Sequence, residues 1–347
     1  MSGIGNRLST WLRKVPVAGG AASALRRQVL MLRRRIAQRR LESVLRRRLL
    51  AGIELPVDDA DKSWLCRTKE SVLRELLVQL RDINGASAYC LQCYRGQADT
   101  LRRFGRRIEG MRVLELGPGK NIGVGVLFAV NGAASYCGVD VFRDQEFNAP
   151  SVLRSLVALL EIMPGLARPI ADVVHLHGDG GATVDERYVE FRCPVDVEQL
   201  PFAAGSFDYV FSNAAFEHFS GPDAAIGEIH RVLRRGGMTA HQVDLRDHRF
   251  MDNDPLAFLK LGEAEWASLF PANVRVDIAT ANWTNRWRAG RYRDAFVRRG
   301  FRLLEYSPQT LPGDGVTASL RASCHADFRD LPVEDLASVG LFLVAEK

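Results

Sequence analysis

The stretch Val113-Leu-Glu-Leu-Gly-Pro-Gly119 constrains this chain more than any other. Residues 113–116 read as a buried strand that runs straight into a turn at Gly117 and Gly119. Glycine at such a turn lets the backbone approach a ligand with no side chain in the way. Residues 122–130 follow with helical character, which completes the first strand–turn–helix unit of a nucleotide-type α/β domain. Further strands are expected at 134–140, 189–193, 207–213, 238–243, 301–306 and 339–345, and helices at 151–163, 223–233 and 291–299. Alternation of this kind implies a mostly parallel, doubly wound sheet.

The 347 residues are 47% hydrophobic, which supports a sizeable core. No apolar run approaches the roughly 20 residues of a membrane span. The net charge of +6 conceals an asymmetry. Residues 1–50 hold 13 Lys and Arg against Glu42 alone, and the remainder carries 34 basic and 40 acidic residues. The acidic body argues against nucleic acid as a partner, because phosphate binding needs a positive surface. Within the tail, Leu25, Val29, Leu32 and Ile36 recur on one helical face with arginines mostly off it. Such a helix over 21–50 suits an anionic membrane surface, a partner helix, a targeting peptide or a solvated extension. The start lacks a secretory pattern, so a cytoplasmic protein is expected, with the inner membrane face as a peripheral location. The six cysteines read as free thiols, and Cys90-Leu-Gln-Cys93 lacks the second pair that a zinc site usually needs.

Three regions follow from this pattern. Residues 1–60 form a basic helical extension and linker, and residues 61–110 a helical lead-in. Residues 111–347 form the α/β domain. The gap of 56 residues between Asp140 and Asp196 predicts an insertion at about 144–188 that caps the pocket or makes a lid. A substrate-side segment is expected at about 244–290.

Taken alone, the glycine turn fits a nicotinamide dehydrogenase, a methyltransferase or an ordinary strand-to-helix turn. Its companions narrow the choice. Asp140 ends the second strand, where a carboxylate can accept both ribose hydroxyls. Asp196-Val-Glu-Gln-Leu-Pro-Phe202, Gly205-Ser-Phe-Asp-Tyr-Val210, Ser212-Asn-Ala-Ala-Phe-Glu-His218 and Glu228-Ile-His-Arg-Val-Leu-Arg-Arg-Gly-Gly237 follow in that order. Over residues 111–245 this order resembles the class I S-adenosylmethionine-dependent methyltransferases, in particular the methyltransferase type 11 group. The resemblance implies a Rossmann-like, doubly wound, seven-stranded, mostly parallel sheet with an antiparallel last strand. It implies S-adenosyl-L-methionine as cofactor, with Glu115, Gly117 and Gly119 around its methionine part, Asp140 on the ribose, Asp196 and Val197 at the adenine and Asn213 facing the methyl group. Asn121 replaces the usual third glycine of the first loop, and asparagine tolerates left-handed backbone better than most residues. Asp208 reads as a turn cap.

Methyl transfer from a sulfonium is an in-line displacement, and a base is needed only when the acceptor must lose a proton. A hydroxyl or carboxyl oxygen of a small molecule or glycan is the expected acceptor, with His218 and His241 as candidate bases. His241, Asp244, Asp247 and His248 have metal-ligand chemistry, yet the same residues can shape a polar pocket or satisfy loop backbone. Asp244, His248, Arg286 and Trp287 are therefore assigned to the substrate and no metal is assigned. A membrane lipid or quinone methyltransferase and a non-catalytic cofactor-binding regulator are the rival readings.

Overall fold

Strands form where β-branched and aromatic residues alternate or run together, and in chain order they are β1 (Arg112–Leu116), β2 (Ser135–Val139), β3 (Val174–Leu176), β4 (Ala182–Val184), β5 (Val189–Arg192), β6 (Phe207–Asn213), β7 (Leu233–Asp244), β8 (Arg302–Thr310) and β9 (Ser338–Glu346). The computed structural model describes residues 85–141, 143, 150–160, 166–251, 254–270, 283–311 and 316–347. Val78–Lys347 forms one compact unit. The expected basic helix at 21–50 and most of the lead-in lie outside the described residues.

Seven strands join one sheet in the order β5-β2-β1-β6-β7-β9-β8, and β3 and β4 form a separate antiparallel pair. The pairs β5–β2, β2–β1, β1–β6 and β6–β7 are parallel. The last strand, β9, is antiparallel to both neighbours and enters between β7 and β8. The Rossmann-like, seven-stranded, mostly parallel architecture is thus as expected from the sequence. β1 lies third in the order, with Glu115 level with Gly138 on one side and Phe211 on the other.

The helices are α1 (Gly85–Arg103), α2 (Gly123–Val130), α3 (Pro150–Leu160), α4 (Pro222–Val232), α5 (Glu263–Ser268), α6 (Ala289–Arg298), α7 (Val316–Ser323), α8 (Ala326–Arg329) and α9 (Val333–Ala337). Every residue of α2 is buried, as befits a helix that is apolar on all sides. On its face of the sheet, Cys90 and Leu101 of α1 and Leu153 and Leu156 of α3 share a core with Phe128, Tyr136, Tyr209 and Phe211. On the other face α4 and α6 bury Ile226, Ile229, Tyr292 and Phe296 against Leu114, Val210 and Leu343. A third cluster joins Phe258, Trp266, Phe328 and Leu336 near the C-terminal helices.

Three local expectations change. Residues 165–190 show no clear period in sequence, yet contain the β3–β4 pair, whose strands are only three residues long. The described part of the 144–188 insertion contributes α3 to the core layer, where Val152, Leu153, Leu156 and Val157 are buried, which is packing work rather than a lid. The chain enters β7 at Leu233, ahead of Gly236 and Gly237, whereas the strand was expected only at 238–243. No described helix is long and apolar enough to cross a membrane.

Candidate cofactor-binding site

The glycine turn lies at the end of β1. Gly117 has φ 69° and Gly119 φ 68°, a left-handed backbone that side chains disfavour. A Cβ on Gly117 would also lie 2.7 Å from the Cβ of Ala215, whereas one on Gly119 would meet nothing within 4 Å. The first glycine therefore serves close packing as well as the turn, and the second leaves an open face. Asn121, in place of a third glycine, accepts hydrogen bonds at Oδ1 from the Gly123 N–H at 3.1 Å and the Cys90 thiol at 2.7 Å, which anchors the start of α2 to α1.

Beneath the turn, Glu115 is buried, and the Tyr136 hydroxyl donates to its Oε2. Burial pushes the Glu115 carboxyl up to about 7, against the lowering effect of Tyr136 and Asn213 and with a further push from the Asp140 charge. The Asn213 Nδ2 is buried and meets no partner in hydrogen-bond geometry among the described residues, so its effect on Glu115 is one of proximity. Gln97 of α1 donates to Asn213 Oδ1 at 2.9 Å, and Tyr209 donates to Gln97 Oε1. Ala214, next in the chain, has φ 46°, an uncommon conformation for a residue with a Cβ and one that tends to mark functional loops.

Asp140 and Asp196 stand at the ends of adjacent strands. The Val195 N–H donates to the Asp140 carbonyl at 2.8 Å, which ties the two ends together. Asp196 is exposed and accepts from the Glu198 N–H at 2.9 Å, while Val197 is buried. The motif downstream explains how this loop is held. Glu228 of α4 accepts from the Leu200 N–H at 2.7 Å and pairs with Arg231, whose guanidinium donates to the carbonyls of Leu200 and Phe202. Asp208 accepts from the Arg112 N–H and side chain and from Arg234, so it ties the starts of β1 and β7 together instead of capping a turn.

The glycine turn, the buried carboxylate, the unpartnered Asn213 Nδ2 donor and the two acids fit a ligand with an amino-acid end and a ribose–adenine end. A carboxylate suits an ammonium, an amide N–H suits an acceptor oxygen, and Asp140 and Asp196 suit hydroxyls and an amino group. Beside Asn213 a cavity of about 580 Å³ opens between α1 and the ends of β6 and β7. Tyr89, Cys93 and Gln97 line it from the helix, Asn213, Ala214 and Gln242 from the sheet, and Arg102 and Arg103 stand at its helical side. Partial burial, then Cys93 and the charges of Glu115 and Glu217, raise the Tyr89 phenol above its usual range. Sequence reading missed Tyr89, Gln97 and Tyr136, although Tyr89, Cys93, Gln97 and Thr100 recur at helical spacing along one face of α1.

The residues expected on the substrate side separate. His241 is 1% exposed, its ring packed between Phe216 and Phe296. Thr239 donates its hydroxyl to the Val210 carbonyl, so His241 donates from Nε2 to Thr239 at 2.6 Å and accepts at Nδ1 from Ser212 at 2.8 Å. Both ring nitrogens are satisfied in the core, and the expectation of a base at His241 does not fit this placement. Arg286 and Trp287 do not face the cavity either. Arg286 is 7% exposed, bonds the Leu261 carbonyl and Glu263, and stacks over Trp266 and Phe328. Trp287 packs on Tyr292 beneath Arg291. Both hold the C-terminal helices together, as does Arg288 through the carbonyls of Leu245, Asp335 and Ser338. Asp247 is fully buried and grips Arg249. His218, Asp244 and His248 do come together: the two imidazoles meet edge to face at 5.0 Å, and Asp244 lies 3.8 Å from His248 while gripping Arg246. Burial lowers His218 to about 4.

Residues 166–240 match the methyltransferase domain family of the type 11 group. The seven-stranded sheet and the glycine turn accompany this match, an arrangement similar to that of the class I S-adenosylmethionine-dependent methyltransferases. A stretch of 127 residues is 34% identical to the malonyl-[acyl-carrier protein] O-methyltransferase of Laribacter hongkongensis (strain HLHK9), over 37% of this chain and 35% of that protein. A stretch of 102 residues is 33% identical to an uncharacterized chloroplastic methyltransferase of Arabidopsis thaliana, over 29% of this chain and 27% of that one. The chain thus spans about a third of the length of these curated relatives. The solved S-adenosylmethionine dependent methyltransferase from Mesorhizobium loti aligns over 72% of this chain and 96% of its own at 15% identity, with a TM-score of 0.41.

Proposed function

We propose that this protein transfers a methyl group from S-adenosyl-L-methionine to an oxygen of a small polar molecule, with a carboxylate as the preferred acceptor. The observation that carries this reading is the position of the cavity: it opens at Asn213, the same residue that closes over buried Glu115. Glu115, Gly117, Gly119 and Asn213 hold the methionine end, Asp140 the ribose, and Asp196 and Val197 the adenine. Bound there, the cofactor supplies an already activated methyl group. The chain's work is to hold the acceptor in line and to exclude water, and Tyr89, Gln97 and Ala214 are placed to do so. A carboxylate arrives with no proton to lose, so it needs no base. That suits a site in which His241 is sealed in the core. The related Laribacter hongkongensis protein, named as an O-methyltransferase, supports an oxygen acceptor.

The test is transfer of labelled methyl from the cofactor to fractionated cell extract, followed by mild base. Carboxyl methyl esters release volatile methanol under those conditions, whereas ethers and N-methyl products do not. Label that stays in base-stable product rejects the carboxylate. Tight calorimetric binding of the cofactor without any transfer favours a regulatory binding protein.

A further inference from the structure

Just beyond β6, a single helical turn at Phe216–His218 presents a group of side chains that methyl transfer to a carboxylate does not use. Glu217 is 2% exposed, and neither carboxylate oxygen has a hydrogen-bond partner among the described residues. A carboxylate taken out of water normally has a cation or several donors against it. His218 bonds the Trp283 carbonyl through Nδ1 at 2.8 Å. A carbonyl can only accept, so the ring proton sits on Nδ1 and the Nε2 lone pair is available. That nitrogen lies 4.0 Å from Glu217 Oε1. The His248 ring closes the third side, and one donor atom from each of the three residues lies within 4.8 Å of the other two.

We propose that Glu217, His218 and His248 bind one divalent transition-metal ion of the zinc, cobalt or ferrous class. Two imidazoles and one carboxylate suit these ions better than magnesium or calcium, which take oxygen ligands. The Trp283 carbonyl on Nδ1 of His218 is the outer contact that fixes a ligating imidazole in the correct tautomer and orientation. Donors around a tetrahedral ion at about 2.0–2.1 Å stand roughly 3.3 Å apart. Side-chain rotations that draw the group together by about 1.5 Å at most are therefore sufficient. Three protein donors leave a coordination position for an external oxygen ligand.

This inference is independent of the acceptor, and its test needs neither cofactor nor methyl transfer. Full-length protein stripped of metal is titrated with Co²⁺ alone. The expected result is one equivalent bound, with visible ligand-field absorption that saturates at that ratio. Glu217→Gln, His218→Ala and His248→Ala each weaken binding tenfold or more, while the double variant Cys90→Ala/Cys93→Ala binds as wild type does. Circular dichroism verifies that each variant is folded. Wild-type binding no tighter than that of His218→Ala/His248→Ala, or binding that disappears with the cysteines, overturns the proposal.

Discussion

Tyr136, on β2, donates its hydroxyl hydrogen to Glu115, on the neighbouring strand β1. The contact depends on Gly138, where a Cβ would lie 3.1 Å from the Tyr136 oxygen and 3.1 Å from Pro118. Burial brings the Glu115 carboxyl up to about 7, against the lowering effect of this hydrogen bond. A cationic ligand draws out the carboxylate form. Cofactor affinity should therefore rise as pH goes from 6 to 8, and Glu115→Gln should bind about tenfold more weakly, ~1.4 kcal/mol, with little pH dependence. Calorimetry at the two pH values measures both. Stability runs the other way. The folded state holds the Glu115 proton more tightly than the unfolded chain does, so this group's contribution is present below pH 4.5 and is lost as pH rises through about 7. In urea, Glu115→Gln should gain on wild type at pH 8, and the gain should shrink at pH 5.

The two glycines of the turn should separate on substitution. Gly117→Ala adds a steric overlap with Ala215 to an unfavourable backbone angle and should cost about 2–4 kcal/mol of stability together with cofactor binding. Gly119→Ala, with open space around it, should cost only about 1 kcal/mol of stability yet still obstruct the ligand. Thermal unfolding and cofactor titration distinguish the two.

Removing the Glu228 carboxylate should affect a site it does not touch. Glu228→Ala frees the Leu200 N–H and releases Arg231, so the loop that carries Asp196 loses its clamp. We expect cofactor binding to weaken three- to tenfold, with a stability loss of about 1 kcal/mol. Unchanged affinity would show that the loop holds its shape without α4.

His241 should prove structural. His241→Leu removes the bonds to Ser212 and Thr239 and should cost about 1–3 kcal/mol, while methyl transfer per folded molecule is retained. Burial lowers the His241 imidazole to about 3, below its ordinary 6.5. The unfolded chain binds the proton first, so wild type loses stability as pH falls from 6.5 towards 3. The gap between wild type and His241→Leu should narrow over that range, as followed by urea unfolding.

The sheet was legible because each of its seven strands carries its own apolar run and most are bounded by glycines, and order along the chain did the rest. The β3–β4 pair was not, since three residues per strand leave no period to read. At the site, Glu115, Gly117, Gly119, Asp140, Asp196 and Asn213 stand at strand ends, where a position in the motif already specifies a position in space. His241, Arg286 and Trp287 failed for the opposite reason. Their residue types suggest chemistry, but whether a side chain enters a pocket or a core depends on which helix covers that face. Glu217 was passed over for its neighbour His218, because the single helical turn that sends both inward cannot be seen from adjacent letters.

Glu198 accepts hydrogen bonds from Ser220 at 2.6 Å and from the Gly221 N–H at 2.7 Å. It thereby joins the loop that follows β5 to the one that follows β6. Asp196 is two residues away on one loop and His218 two residues away on the other. The loop that carries Asp196 and the loop that carries His218 are therefore held by one carboxylate, and a displacement of either pulls on the other.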